Sequence, residues 1–335
     1  MEALERAFYS RKKQAGAGVD GITYAQYEGE VRENLGKLHE RLKSKRYRAQ
    51  PLRRSYIPKE DGRLRPIGIP ALEDKIVQKA AVELLSAIYE QDFLNCSYGS
   101  RPELGAHEAL DEVGRVICQQ PIGYVLEADI CGYFDAIVRD KLMEVIERRV
   151  VDRSMQRLIR KWINVGVIEE GRLLVTKTGT GQGQVISPLL ANIYLHYVLD
   201  EWLEREVKPH LRGQAYEIRY VDDFILCFQY REDAEKVLAA LSQRFAEYGL
   251  TLHPEKTRLL EFGRSALAKS ERPGGQKPET FDFLGFTHIC RRSRKGKFTI
   301  HVRTARKRLS RSLKRVADWC QKHRHDRVEE QHQVL

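Results

Sequence analysis

Two stretches of this chain put aspartate where a strand would normally exclude it. Val125-Leu126-Glu127-Ala128-Asp129-Ile130 and Arg219-Tyr220-Val221-Asp222-Asp223-Phe224-Ile225-Leu226 are otherwise built from apolar, strand-forming residues. Aspartate is a poor strand former, and burying it ionised without a partner costs several kcal/mol. Adjacent Asp222 and Asp223 add mutual repulsion. A bound cation offsets both costs: Mg²⁺ prefers hard oxygen ligands, and a two-metal centre, with ions about 3.5–4 Å apart, needs carboxylates converging from different elements. The run Tyr216 to Phe228 can form a hairpin with Val221-Asp222-Asp223 at its tip, beside Asp129 on a neighbouring strand. A lone Asp-Asp pair usually makes only a polar turn; a third aspartate in a matching context, flanked by basic tracts, favours the catalytic reading.

Those basic tracts set the class of partner. The chain of 335 residues has a formal net charge of +11 and 42% hydrophobic residues, enough for a substantial core and a polyanionic partner. From Arg291 to Arg315, twelve of twenty-five residues are Lys or Arg and none is acidic, with Phe298, Ile300, Val302, Leu309 and Leu313 interleaved. Arg46 to Arg65 is a second basic stretch carrying Tyr47 and Tyr56. Solvated helix faces normally mix signs, so single-sign stretches with apolar residues favour a surface that tracks phosphates. Arg303, Arg306, Lys307 and Arg311 fall at near-helical spacing within the first tract. Six cysteines show no C-x-x-C pair, which argues against a zinc site or disulfide framework and for reduced, mostly buried thiols. No apolar run is long enough to span a membrane and the N-terminus lacks a signal-peptide pattern, so a soluble, cytoplasmic protein is expected.

Helical and extended patterns alternate, which predicts an α+β or α/β lobe with a sheet covered on one face. Pairs from Ile76-Val77 to Ile88-Tyr89 recur every four residues as a helical stripe. A helix is expected from Ser187-Pro188, with Ser as N-cap, and another from Glu232 to Tyr248, ending at Gly249. Extended runs are expected at Gly123–Ala128, Arg172–Thr176, Ile218–Tyr220, Phe224–Phe228, Phe281–His288 and Lys297–Val302, and a linker or mobile loop at Arg264–Thr280.

Seven ordered blocks then carry a resemblance: Gly18-Val19-Asp20-Gly21; Ile57-Pro58-Lys59 with Arg65-Pro66-Ile67-Gly68-Ile69-Pro70; Ser97-Tyr98-Gly99-Ser100-Arg101-Pro102; Ala128-Asp129-Ile130; Gln182-Gly183-Gln184-Val185-Ile186-Ser187-Pro188-Leu189-Leu190-Ala191-Asn192; Tyr220-Val221-Asp222-Asp223; and Phe283-Leu284-Gly285-Phe286. Together they resemble the reverse transcriptases encoded by bacterial group II introns, from about Gly16 onward. The resemblance implies an α+β right-hand fold: fingers over 1–105, a palm over 106–290 with an antiparallel sheet backed by helices and a fingers-like insertion around 140–180, and a truncated start of a basic thumb or maturase region over 291–335. It implies that Asp129, Asp222 and the backbone carbonyl of Ile130 hold two Mg²⁺ ions, which Mn²⁺ can replace, with Asp223 supporting. Lys59 and Arg65 would grip the incoming triphosphate, Gln182 and Gly183 would approach the nascent base pair, and Phe134 would lie beneath the deoxyribose. Arg101, Asn192, Lys256 and Gly285 would join the basic tract in contacting nucleic acid.

The implied activity is RNA-directed DNA synthesis from an RNA template, a DNA or RNA primer and deoxynucleoside triphosphates, in a group II intron-type retroelement whose structured intron RNA is a further partner. A splicing cofactor that only binds intron RNA, a relative domesticated for defence, and an RNA-dependent RNA polymerase are alternatives. Splicing and target cleavage by this chain alone are not expected. The chain departs from the family in having Gly181 where Pro is usual, Gln184 where Gly is usual, and Val221 where Ala is most frequent.

Overall fold

The computed structural model describes residues 1–58, 62, 64–176 and 178–334, the side chains of 330, 333 and 334 excepted. Strands β1 (Leu52–Pro58) and β2 (Leu64–Ile69) form an antiparallel pair, and β1 pairs in parallel with β4 (Val167–Glu169), which turns back into β5 (Arg172–Leu174). The sheet order β2-β1-β4-β5 thus joins the N-terminal part to the segment inserted after residue 140. A central sheet of order β6-β7-β3-β8 is antiparallel throughout, built from β3 (Tyr124–Ala128), β6 (Ala215–Tyr220), β7 (Asp223–Phe228) and β8 (Arg258–Glu261). A third sheet, β9 (Thr280–Phe283), β10 (Phe286–Arg292) and β11 (Phe298–Thr304), is a meander leading into the basic helix Arg306–His323.

The central sheet is covered on both faces, not on one as the strand pattern predicts. Leu126, Phe224, Leu226 and Phe228 pack into one core with Val237, Leu241 and Phe245 of the helix Arg231–Glu247. Val125, Ile225 and Cys227 point the other way, toward Ala109, Val113 and Ile117 of the helix Ala106–Gln119. The unbroken apolar run Phe224–Phe228 reflects this, because a strand buried on both faces has no reason to alternate.

Three other expectations are corrected. Ser187 is the first residue of the helix Ser187–Leu195 and does not cap it; its hydroxyl donates to the Thr180 carbonyl at 2.7 Å, because the preceding turn curls back over it. The run Phe281–His288 is two strands, broken where Leu284 (φ 51°) and Gly285 (φ 82°) both adopt left-handed backbone. Arg264–Thr280 opens with a helix, Arg264–Ser270. The helix from Ser187 continues as π-helical turns at His196–Asp200 and Trp202–Val207. π turns recur where a side chain must be re-aimed for function, and this one brings Asp200 to the central sheet.

The unusual turn before Ser187 has its own support. Gly181 holds φ +65°, which proline, fixed near −65°, cannot adopt. Gln184 fills the adjoining space: its amide donates to the Trp162 and Thr180 carbonyls at 3.0 and 2.9 Å and its oxygen accepts from Gln78 at 2.8 Å. Gln78 Oε1 in turn accepts the Val185 N–H at 2.9 Å. The two departures at 181 and 184 are therefore one compensated change. Gln78→Ala should leave buried amide groups unpaired and destabilise the protein by about 1–3 kcal/mol, measured by urea denaturation; an unchanged midpoint would refute this role for the pair.

Candidate active site

The catalytic candidates are brought together by strand register. Ala128 lies opposite Phe224, so the next residues along the same antiparallel ladder, Asp129 and Asp223, sit side by side. Tyr220 pairs with Asp223, leaving Val221 and Asp222 as a two-residue turn at the tip of β6–β7. Val221 takes φ +59°, the positive value such hairpin turns demand at their first central position and usually fill with glycine. A β-branched residue there is strained, at a cost of order 1–3 kcal/mol.

That turn is held from behind by a buried charge network that the sequence pattern does not announce. Arg219, fully buried, donates Nε and Nη2 to the two Asp200 oxygens at 2.7 and 2.5 Å, and Nη1 to the Val221 carbonyl and Asn192 Oδ1, both at 3.0 Å. Asn192 donates to the Gly99 carbonyl at 2.6 Å. A Cβ on Gly99 would meet Val221 N and Cγ2 at 2.6 Å, so the loop can back onto the turn only with glycine. Cys96, Asp200 and Glu217 group their ligand atoms within 4.8 Å. Asp200 is already committed to Arg219, and burial, with the charge of Asp200 adding to it, pushes the Glu217 carboxyl well above the ordinary carboxylate range. The cluster is therefore read as a buried anchor for the turn.

Electrostatics at the tip are strained in the sense expected of a cation site. The Asp223 carboxyl is pushed up to about 6, first by desolvation and then by the charges of Asp222 and Asp129, with Lys256 opposing. The residue still has a face open to solvent, which screens part of that repulsion. Asp222 is also raised, by burial first and then by Asp129, with Arg65 pulling it back. Lys256 Nζ sits 2.5 Å from Asp129 Oδ2. Asp129 and Asp223 open onto a cleft of about 360 Å³ whose wall includes Glu127, Lys256, Arg258 and Leu284. Hard oxygen donors from two elements, repelling one another at one tip, are the donor type a divalent cation prefers.

The other predicted residues divide. The Phe134 carbonyl accepts the Thr180 N–H at 3.0 Å and the Gln182 carbonyl accepts the Gly68 N–H at 2.7 Å, so a continuous wall runs from the β3 end to β2. A Cβ on Gly183 (φ +109°) would meet Ile67 at 2.4 Å and the Gly68 carbonyl at 2.6 Å. Arg101 is turned inward: its side chain, 7% exposed, pairs with Glu90 at 2.9 Å and donates to the Leu94 and Ser97 carbonyls. Asn192 is fully buried, so both residues position loops and are not surface contacts for nucleic acid. Gly285 lies under the Arg308 guanidinium, Arg303, Arg306 and Lys307 are exposed, and Arg311 is half-buried. Lys59 lies outside the described residues.

Residues 57–288 match the family described as reverse transcriptase (RNA-dependent DNA polymerase), and the chain belongs to that family. It is of the group II intron type, an RNA-directed DNA polymerase by descent. It is 32% identical to Protein YkfC of Escherichia coli over 84% of this chain and 78% of that protein. It is 33% identical to the group II intron-encoded protein LtrA of Lactococcus lactis over 77% of this chain, which spans 44% of LtrA. Apo telomerase from Candida tropicalis, truncated from its C-terminal domain, shares the fold with a TM-score of 0.52 and 16% identity, over 76% of this chain and 55% of that one. The right-hand polymerase architecture of α+β class is thereby shown.

Gly99→Ala should displace the Val221 turn and lower nucleotide insertion by about 10²-fold, the scale of a 1 Å misplacement, with the fold retained by circular dichroism; near-parental insertion would refute the coupling. An unfolded aspartate titrates near about 3.9, whereas folding favours the protonated Asp223. The stabilisation from this group is therefore fully present below about pH 4 and is lost as pH rises through about 6. With chelator present, Asp223→Asn should gain melting temperature relative to the parent between pH 4 and pH 7; a constant difference across that window would contradict it.

Proposed function

We propose that this chain extends a DNA or RNA primer on an RNA template with deoxynucleoside triphosphates, using two Mg²⁺ ions held by Asp129, Asp222 and the Ile130 carbonyl, with Asp223 supporting. The observation that carries this is the register placing Asp129 beside Asp223 at a hairpin tip whose remaining residue, Asp222, shares their repulsion. The bound ions supply activation of the primer 3′-hydroxyl and neutralisation of charge on the transferring phosphoryl group. Arg65 is close enough to lower the Asp222 carboxyl, which supports reading it as a contact for the triphosphate. Gly183 admits the backbone of the Gln182 turn close to β2, which favours that turn as the floor under the nascent pair. Phe134, half-buried beside Tyr133 and tied to the same turn, offers the incoming sugar an aromatic face without a partner for a 2′-hydroxyl.

The exposed basic face of β11 and the following helix favours phosphate-backbone binding of template and primer and of a structured intron RNA. No helix among the described residues is long and apolar enough to cross a membrane; likeness to proteins of Escherichia coli and Lactococcus lactis favours the bacterial cytoplasm as its location. Primer extension on RNA and DNA templates, with deoxynucleotides against ribonucleotides, tests the reading. The parent should extend with deoxynucleotides on RNA, and Asp222→Asn should abolish synthesis while RNA affinity stays within about twofold, because amide for carboxylate keeps shape and removes a ligand charge. Robust Mg²⁺-dependent synthesis by that variant would refute the metal assignment.

A further inference from the structure

Lys256 is the one cation bonded directly to a candidate metal ligand among the described residues, and its geometry differs from that of a surface ion pair formed by chance. Its root is pinned to Asp129 itself. The His253 N–H donates to the Asp129 carbonyl at 2.8 Å, and Cys131 N–H donates to the Thr251 carbonyl at 2.9 Å, making an isolated antiparallel bridge of Ile130 with Leu252. The chain then turns, with Lys256 N–H donating to the His253 carbonyl at 3.2 Å. The backbone that holds Asp129 in place therefore also delivers the ammonium to Oδ2 at 2.5 Å. Lys256 also lowers the Asp223 carboxyl, so its charge acts on both strands of the site.

We infer that Lys256 is a built-in competitor for the metal at Asp129: its ammonium neutralises the carboxylate until a divalent ion takes the same oxygen and displaces it. The inference rests on the metal assignment proposed above. Three features make displacement easy. The Lys256 side chain is 60% exposed, so its ammonium regains water on leaving, whereas Asp129 is 23% exposed and stays put. Lysine is a point charge on a flexible stem, without the bidentate fork by which Arg219 locks Asp200. The neighbouring acid Glu127 is separately held by Arg258 at 2.5 Å, so freeing Lys256 leaves that pair intact. Metal entry and release of the lysine into the cleft are thus one event. At low metal, the ion pair spares the tip the repulsion of uncompensated carboxylates.

The test is Mn²⁺ binding to the full chain, read from the electron paramagnetic resonance signal of free ion, without nucleotide or nucleic acid. Lys256→Met and Lys256→Gln should each bind Mn²⁺ about two- to fivefold tighter than the parent at low ionic strength, the scale of one exposed ion pair no longer to be broken. The advantage should shrink with added salt. Lys256→Arg, which keeps a charge there, should not share the gain. In chelator the Met variant should melt below the parent and recover more on adding Mn²⁺. Equal or weaker Mn²⁺ binding by both neutral variants would overturn the competition. Asp222→Asn and Asp129→Asn separate the two proposals: if both bind Mn²⁺ as the parent does, the metal assignment fails, whereas loss of binding in these with no gain in Lys256→Met leaves the assignment standing and removes only the role of the lysine.

Discussion

Three carboxylates at the end of two strands repel one another, and most of the surrounding structure is arranged to hold them there. Desolvation and neighbouring charge raise Asp222 and Asp223, so the fold works against their ionised forms. A site that wants to lose protons or rearrange needs a rigid support, because relaxation would relieve the repulsion by moving the turn. The support is Arg219. With both Asp200 oxygens and the Val221 carbonyl engaged by one planar fork, the turn cannot rotate without breaking a fully buried ion pair. Removing one partner of such a pair typically costs about 3–5 kcal/mol, more than the strain of order 1–3 kcal/mol stored at Val221. The buried ion pair outweighs the strain, and the turn persists.

Much of this was legible because the candidate residues break local rules. Aspartates inside apolar strands, glycines before Ser187-Pro188 and a single-sign basic tract each stand out against the expected composition of their element. Register was legible too, since the hairpin from Tyr216 to Phe228 has a single tip. The buried network was not. Arg219 reads as an ordinary charged residue next to the acidic motif, and Asp200 lies in a helical stretch whose π turns have no period in the sequence. Only three-dimensional closure shows that the two meet. A signal did exist: arginine and glutamate among the strand-forming residues of Ala215–Tyr220 are as anomalous as the aspartates that follow.

Arg101 and Asn192 were misplaced for a related reason. A residue within a motif block can touch a substrate or can brace one that does. Arg101 spends its guanidinium on Glu90 and two loop carbonyls, and stacks over Phe93 at 5.4 Å. That fixes the loop carrying Gly99, which in turn abuts the Val221 turn. Both residues therefore act on the site through backbone position. The sheet was likewise misjudged on one face because alternation was sought in a strand that has none.

Conformational freedom is distributed to match. Around the carboxylates, groups behind the turn are buried and locked by bidentate or multiple hydrogen bonds, whereas groups in front of it are exposed, single-contact and long-stemmed. Asn192, Arg219 and Asp200 belong to the first kind; Lys256 and Arg258 belong to the second. A phosphoryl-transfer site needs that division. Groups that hold the reacting centre must not move, since misplacement by 1 Å is costly, while charges that follow a substrate through binding and release must move at little cost, which an exposed lysine or arginine does. Glycine at 183 and 285 extends the pattern to the backbone, permitting close approach on the cleft side without adding a side chain that would need to be displaced. The acidic tip is therefore rigid on one side and exchangeable on the other, and the boundary between the two runs through Asp129, whose carbonyl is fixed by His253 and whose carboxylate is shared with Lys256.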